Sequence, residues 1–199
     1  MERLVSAMAE MNDSFNEVTA EMLKVISDYD SVTGFQGAYN IRQDSMCAGR
    51  KNSENITIES KTDKPGINIR IKPGTKGETV YIPACVTHSN VDDLVYNDFF
   101  IGEGADVTIV AGCGVHSDGS ETARHNGIHR FFLEKGAKVL YKEKHIGTGK
   151  GTGLRRIDPV TDAYLKEDSY LEMDTVQLRG VDRTTRSTSA VLDKGAKIV

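Results

Sequence analysis

The amino-acid sequence predicts a mainly β protein: a right-handed parallel β-helix over residues 31–199, preceded by an amphipathic α-helix over residues 1–30. Three observations carry that expectation. Apolar residues keep a helical period as far as Tyr29 and a two-residue period after Asp30. Glycines break the second part into short alternating runs. One turn, with a strand behind it, recurs at nearly constant spacing.

Leu4, Met8, Met11, Phe15, Val18, Met22, Val25 and Tyr29 are separated alternately by four and three residues. That spacing lays them on one stripe of a helix over about residues 2–29. The stripe either covers the domain that follows or pairs with a partner helix by coiled-coil-like packing, and its positions leave both open.

Beyond Asp30, runs such as Ile56–Glu59, Ile67–Ile71, Thr79–Ile82, Asp106–Val110, Ile128–Leu133, Lys138–Tyr141, Tyr170–Leu178 and Thr184–Leu192 read as strands between turns. The turn Glu103-Gly104-Ala105-Asp106 returns as Lys135-Gly136-Ala137-Lys138 and as Lys194-Gly195-Ala196-Lys197, with a fainter copy around Ser169. The markers Gly104, Gly136, Ser169 and Gly195 stand 32, 33 and 26 residues apart. One coil of a parallel β-helix cannot bury its inward face alone, so coils of similar length stack and share a core. An antiparallel sandwich also has short strands and glycine turns, but its hairpins rarely repeat one turn chemistry. The repeat favours the solenoid.

Composition narrows the function. With 25 Lys and Arg against 29 Asp and Glu, the net charge is −4, which gives no footprint for nucleic acid. No stretch approaches the roughly 18 to 20 apolar residues of a membrane span, and the N-terminus lacks the basic start and apolar run of a signal peptide, so a cytoplasmic protein is expected. The three cysteines, Cys47, Cys85 and Cys113, are expected as thiols. The sequence stops at a turn and the start of a strand, Lys194 to Val199, which suggests a β-helix incomplete at its C-terminus.

Chemistry concentrates in cysteine and histidine. Cys85-Val86-Thr87-His88 and Cys113-Gly114-Val115-His116 share one spacing 28 residues apart, close to a coil length, so the two pairs could stack on adjacent rungs. His125 and His129 face the same way if their segment is a strand. Thiolate with imidazole suits iron and zinc, which makes Cys113, His116, His125 and His129 candidate metal ligands. Gly112 and Gly114 would leave the Cys113 sulfur open. Cys85 reads as core, Cys47 as part of a polar loop, and His145 as the end of a lysine-rich run. Gly147 to Gly153 reads as a turn, because Lys150 is followed by Gly151 where a phosphate loop needs Ser or Thr. No hydrolase triad or dinucleotide motif is present. Lys142, Lys144, Lys150, Arg155 and Arg156 read as a solvated basic face.

Gly112-Cys113, the strand at Ile128–Leu133 and the turn Glu134-Lys135-Gly136-Ala137-Lys138-Val139-Leu140-Tyr141 resemble the SufB/SufD family of iron–sulfur cluster assembly proteins, over roughly residues 34–199. Gly37–Arg42 and Tyr96–Gly102 look like the short SufD-like members of anaerobic prokaryotes. The resemblance implies a SufBD-type β-helical core and a non-enzymatic scaffold that handles a transient iron–sulfur cluster. It places Cys113 and His125 at the positions of the family's sulfur-accepting cysteine and its following histidine. The sequence keeps the Gly-Cys step and lacks the flanking Glu, Thr and Pro. The resemblance further implies a SufC-like ATPase partner, docked through a region beyond Val199, with no nucleotide bound by this chain. A SufB/SufD-like homologue, or a second copy, is implied as a dimer partner. Two other readings compete: a structural oligomerisation solenoid, and a β-helix carbohydrate-active enzyme with Asp92, Asp93 and Asp98 as its acid–base candidates.

Overall fold

The computed structural model describes residues 14–30 and 33–199, so Leu4, Met8 and Met11 of the expected stripe lie outside the described residues. Among the described residues the helix occupies Glu17–Ile26, and residues 14–16 and 27–29 of the expected span lie outside it. Asn16 starts it, its side chain accepting from the Thr19 backbone N–H at 2.9 Å. Ser27 ends it by returning its hydroxyl to the Leu23 carbonyl at 2.9 Å, and Asp28, at φ 53°, turns the chain away. The buried face is Thr19, Met22, Leu23 and Ile26, whereas Val25 is 40% exposed. The face that seats is thus rotated from the stripe, because the surface beneath decides it. That surface is the outer side of a sheet, where Met22, Leu23 and Ile26 pack with Ile41, Cys85 and Ile146. The helix covers the domain that follows it.

The remainder is a β-solenoid of about four turns. The first sheet stacks Asp106–His116, Lys138–Thr148, Tyr170–Arg179 and Lys197–Ile198 in parallel. The second stacks Gly66–Ile71, Asp92–Ile101, Ala123–Leu133, Val160–Leu165 and Ser187–Leu192. Antiparallel pairs open the fold: Ala38–Gln43 with Met46–Lys51, and Ile56–Ser60 with Gly66–Ile71. Cys47 therefore sits on a strand, where a loop was expected.

Asp106 pairs with Lys138 and Lys138 with Tyr170, each 32 residues on, and Tyr170 pairs with Lys197, 27 residues on. Gly104, Gly136 and Gly195 occupy the turn corner at φ 64°, 66° and 72°, and the equivalent residue of the third turn is Asp168 at φ 57°, not Ser169. Aspartate tolerates the left-handed conformation better than most residues, which hid the copy. Gly74, at φ 72°, is an earlier copy that the sequence pattern missed. Its N–H donates to the Glu103 carbonyl as Gly104 donates to Lys135. The segment Gly149–Gly153 extends the stacking into a loop, with Gly151 and Gly153 donating to the carbonyls of Ser117 and Gly119.

The interior is layered. Near the recurring turns it is apolar, with Val107, Ile109, Val139, Leu133 and the stacked rings of Phe99 and Phe131, 4.6 Å apart. At the opposite end a smaller apolar layer joins Val86, Val115, Ala123 and Ile157. Polar side chains fill the space between.

Candidate functional site

Strand alternation selects those side chains. On the second sheet Asp93 and Asn97 point inward, and on the next rung His125 and His129 lie beside them in register. On the first sheet Cys113 points inward, with Glu143 and His145 on the neighbouring strand; His145 is in register with Cys113. All seven are buried. Gly127 lies between the two inward histidines, and an added Cβ there would fall 2.9 Å from His129 Nε2 and 3.3 Å from His125 Nε2. A cavity of about 20 Å³ is lined by Asn40, Arg42, Asn97, Cys113, His125 and His129. That is room for one water-sized group.

Burying so many polar groups is tolerated because they satisfy one another. Arg42 grips Asp93 through Nε at 3.0 Å and Nη2 at 2.6 Å, and His125 Nδ1 meets the same carboxylate at 3.0 Å. Burial would raise the Asp93 carboxyl, but His125 and Arg42 together hold it well below the usual range. An ionised Asp93 only accepts, so His125 Nδ1 donates to it.

A second chain of contacts crosses the chamber. Tyr141 Oη donates to Glu143 Oε1 at 3.1 Å and accepts from His129 Nδ1 at 2.7 Å, while Asn97 Nδ2 donates to His129 Nε2 at 3.4 Å. Burial pushes His129 down to about 4, so the ring is neutral. Burial alone would raise Glu143, but contact with His145 and the charge of Arg186 hold it at about 2. Arg186 Nη2 donates to its second oxygen. Burial, then the Glu143 charge, push the Cys113 thiol well above its ordinary value, so at rest it is protonated.

Cys113 Sγ, a Glu143 oxygen and a His145 nitrogen lie within 4.8 Å of one another. His145 Nδ1 is 3.2 Å from Gln177 Oε1, whereas Nε2 makes no hydrogen bond and stands 3.3 Å from Glu143 Oε1.

The structure brings together Cys113, His125 and His129 of the predicted set and leaves His116 outside. His116 stands three residues from Cys113 on the same strand, hence on its opposite face, where Nδ1 meets Thr148 Oγ1 at 2.8 Å. The Cys-x-x-His pairs do not stack. Cys85 is in register with Gly114, and Cys113 with Ala84, so the true offset is one residue longer than the repeat of the motif. That slip turns Cys85 outward beneath the helix, where burial pushes its thiol up to about 12. His88 is half-exposed, 3.5 Å from Asp44. Gly112 and Gly114 do not open the cysteine. Their missing side chains seat the helix on the other face, since added Cβ atoms would meet Ile26 O at 2.4 Å and Met22 Sδ at 2.5 Å.

Sequence reasoning passed over Glu143, Tyr141, Arg42 and Arg186. The alternation Lys142-Glu143-Lys144-His145 holds a signal for the first, because on a strand its lysines share one face and Glu143 and His145 the other. Asp92, Asp93 and Asp98 do not converge: Asp93 faces inward on Arg42 and His125, Asp92 lies by Arg124, and Asp98 faces outward on Lys61 and Arg130. No helix among the described residues is long and apolar enough to cross a membrane.

No family model matches the chain, and no solved structure does. Among curated proteins it is similar to an iron–sulfur cluster assembly SufBD family protein of Methanothermobacter thermautotrophicus strain Winter, 32% identical over 89 residues, which is 44% of this chain and 21% of the relative. An iron–sulfur cluster assembly SufBD family protein of Archaeoglobus fulgidus is 33% identical over 98 residues, 48% of this chain and 26% of the relative. One from M. thermautotrophicus strain Delta H is 30% identical over 89 residues, 44% of this chain and 21% of the relative. The matched segment spans about a fifth to a quarter of these relatives. The family resemblance drawn from the sequence is found again in all three.

Proposed function

We propose that this relative of the SufBD proteins takes part in iron–sulfur cluster assembly, with the interior chamber around Cys113 holding iron or sulfur in transit. One observation carries the reading: a cysteine sulfur, three imidazoles and two carboxylates converge inside the solenoid, in a polar layer between two apolar ones. Sulfur with imidazole is a ligand set that iron and iron–sulfur units take. The names of the curated relatives support the same process. In this reading Cys113 is the sulfur-accepting or iron-binding residue, and His125 lines the same cavity. A protonated resting thiol means that iron must displace a proton on binding. The chain acts as a scaffold in the cytoplasm, beside a SufC-like ATPase that binds the nucleotide, and pairs with a SufB/SufD-like homologue or a second copy.

Anaerobic reconstitution with ferrous iron and sulfide tests the reading, followed by visible absorption and by iron and acid-labile sulfide content. The wild type is expected to develop a cluster chromophore, and Cys113→Ser to lose most of it. Equal iron and sulfide in both proteins, or none in either, contradicts the proposal.

A further inference from the structure

His145 keeps a ring nitrogen that its protein partners leave open. The Gln177 oxygen only accepts, so His145 Nδ1 donates to it and Nε2 faces Glu143 Oε1 at 3.3 Å. A ring nitrogen and a carboxylate oxygen at that distance are both metal-ligand atoms, and one cation could take both. Nε2 is buried with no hydrogen-bond partner, and the Cys113 sulfur completes the trio within 4.8 Å. The surroundings are those of a built site. A metal-binding histidine usually passes its other ring N–H to an acceptor, as His145 does to Gln177, and a ligating carboxylate is held by donors, as Glu143 is by Tyr141 and Arg186.

We propose that Cys113 Sγ, a Glu143 carboxylate oxygen and His145 Nε2 form a three-ligand site for one borderline divalent cation, with its fourth position open to the chamber. Only the identity of the natural ion, iron(II), rests on the function proposed above. Tetrahedral coordination sets sulfur and nitrogen ligands about 3.5 Å apart, so spacings within 4.8 Å close by at most about 1.3 Å on binding. The thiol proton leaves as the metal–sulfur bond forms. His116, predicted as a ligand, takes no part, and His125 and His129 face the site from the other sheet.

Cobalt(II) titration of the metal-free full chain under anaerobic conditions tests the site. One equivalent is expected to give a sulfur-to-cobalt charge-transfer band and the strong visible bands of four-coordinate cobalt. Cys113→Ser should abolish the charge-transfer band. Glu143→Gln and His145→Ala should each weaken binding at least about tenfold, with His116→Ala unchanged. No binding by the folded wild type, or binding that survives both Glu143→Gln and His145→Ala, overturns the proposal. Should those variants fail to fold, alkylation of wild-type Cys113 followed by peptide mass is decisive: cobalt should slow it at least about tenfold, and an unchanged rate overturns the site. Cobalt binding without a cluster after iron and sulfide would retain the site and overturn the function; a cluster without cobalt bound at these residues would do the reverse.

Discussion

His129 is neutral in the folded protein because its ring is sealed between Phe99 and Tyr141 with both nitrogens engaged. Unfolding exposes it to water, where its pKa returns to about 6.5. The unfolded chain therefore takes up a proton that the folded chain refuses until about pH 4, so stability falls as pH drops from about 6.5 to 4. Glu143 adds a loss lower down: its carboxylate stabilises the fold fully above about pH 4.5, and that contribution fades as pH falls toward 2. Urea unfolding at pH 7 and pH 5 should show the wild type losing on the order of 2 kcal/mol more than His129→Gln. Equal losses would contradict the buried neutral ring. At this scale the sequence was partly legible. The two-residue period of a strand predicts that His125 and His129 face one way. The same rule, applied to Cys113 and His116, puts them on opposite faces, and the recurring Cys-x-x-His spacing obscured it. Arg186 was illegible, because its contact with Glu143 depends on how a later turn stacks.

Helix and sheet meet through absent side chains. Gly112 and Gly114 form a shallow trough on the outer face of their strand, and Met22 and Ile26 lie in it. The trough explains why the helix buries Leu23 and Ile26 and leaves Val25 outside, which apolar spacing alone did not indicate. Gly112→Ala should cost about 1–3 kcal/mol, because its Cβ would meet the backbone oxygen of Ile26 and the helix must lift. Thermal unfolding measures the loss, and amide exchange across Glu17–Ile26 should accelerate in the variant while the Lys138–Thr148 strand keeps its protection. Unchanged exchange in the helix would show that the trough does not seat it. The strands were legible by period, although Asp106–His116 and Lys138–Thr148 run further than their apolar runs suggest, through the Gly-Cys-Gly and Glu-Lys-His segments that carry the site. Polar inward residues break the alternation by which a strand is recognised.

Across the whole molecule, stacking converts sequence separation into neighbourhood. A rung of 32 residues brings His145 beside Cys113 and His125 beside Asp93, none of which are close in the chain. The recurring turn made the solenoid readable, since glycine or aspartate at a left-handed corner repeats in each coil. The chamber was less readable, because it is assembled from five strands and shielded by apolar layers on both sides. Two carboxylates, Asp93 and Glu143, face two guanidiniums, Arg42 and Arg186, so the chamber balances its fixed charges before any cargo enters. The proposed function requires iron to be held inside the solenoid at Cys113. Anomalous diffraction at the iron edge, from crystals of the anaerobically reconstituted full chain, tests it most directly. The account predicts an iron peak in the interior, within bonding distance of the Cys113 sulfur and facing Glu143 and His145. An iron peak confined to the outer surface, at His88 or His116, with the interior devoid of iron, would contradict it.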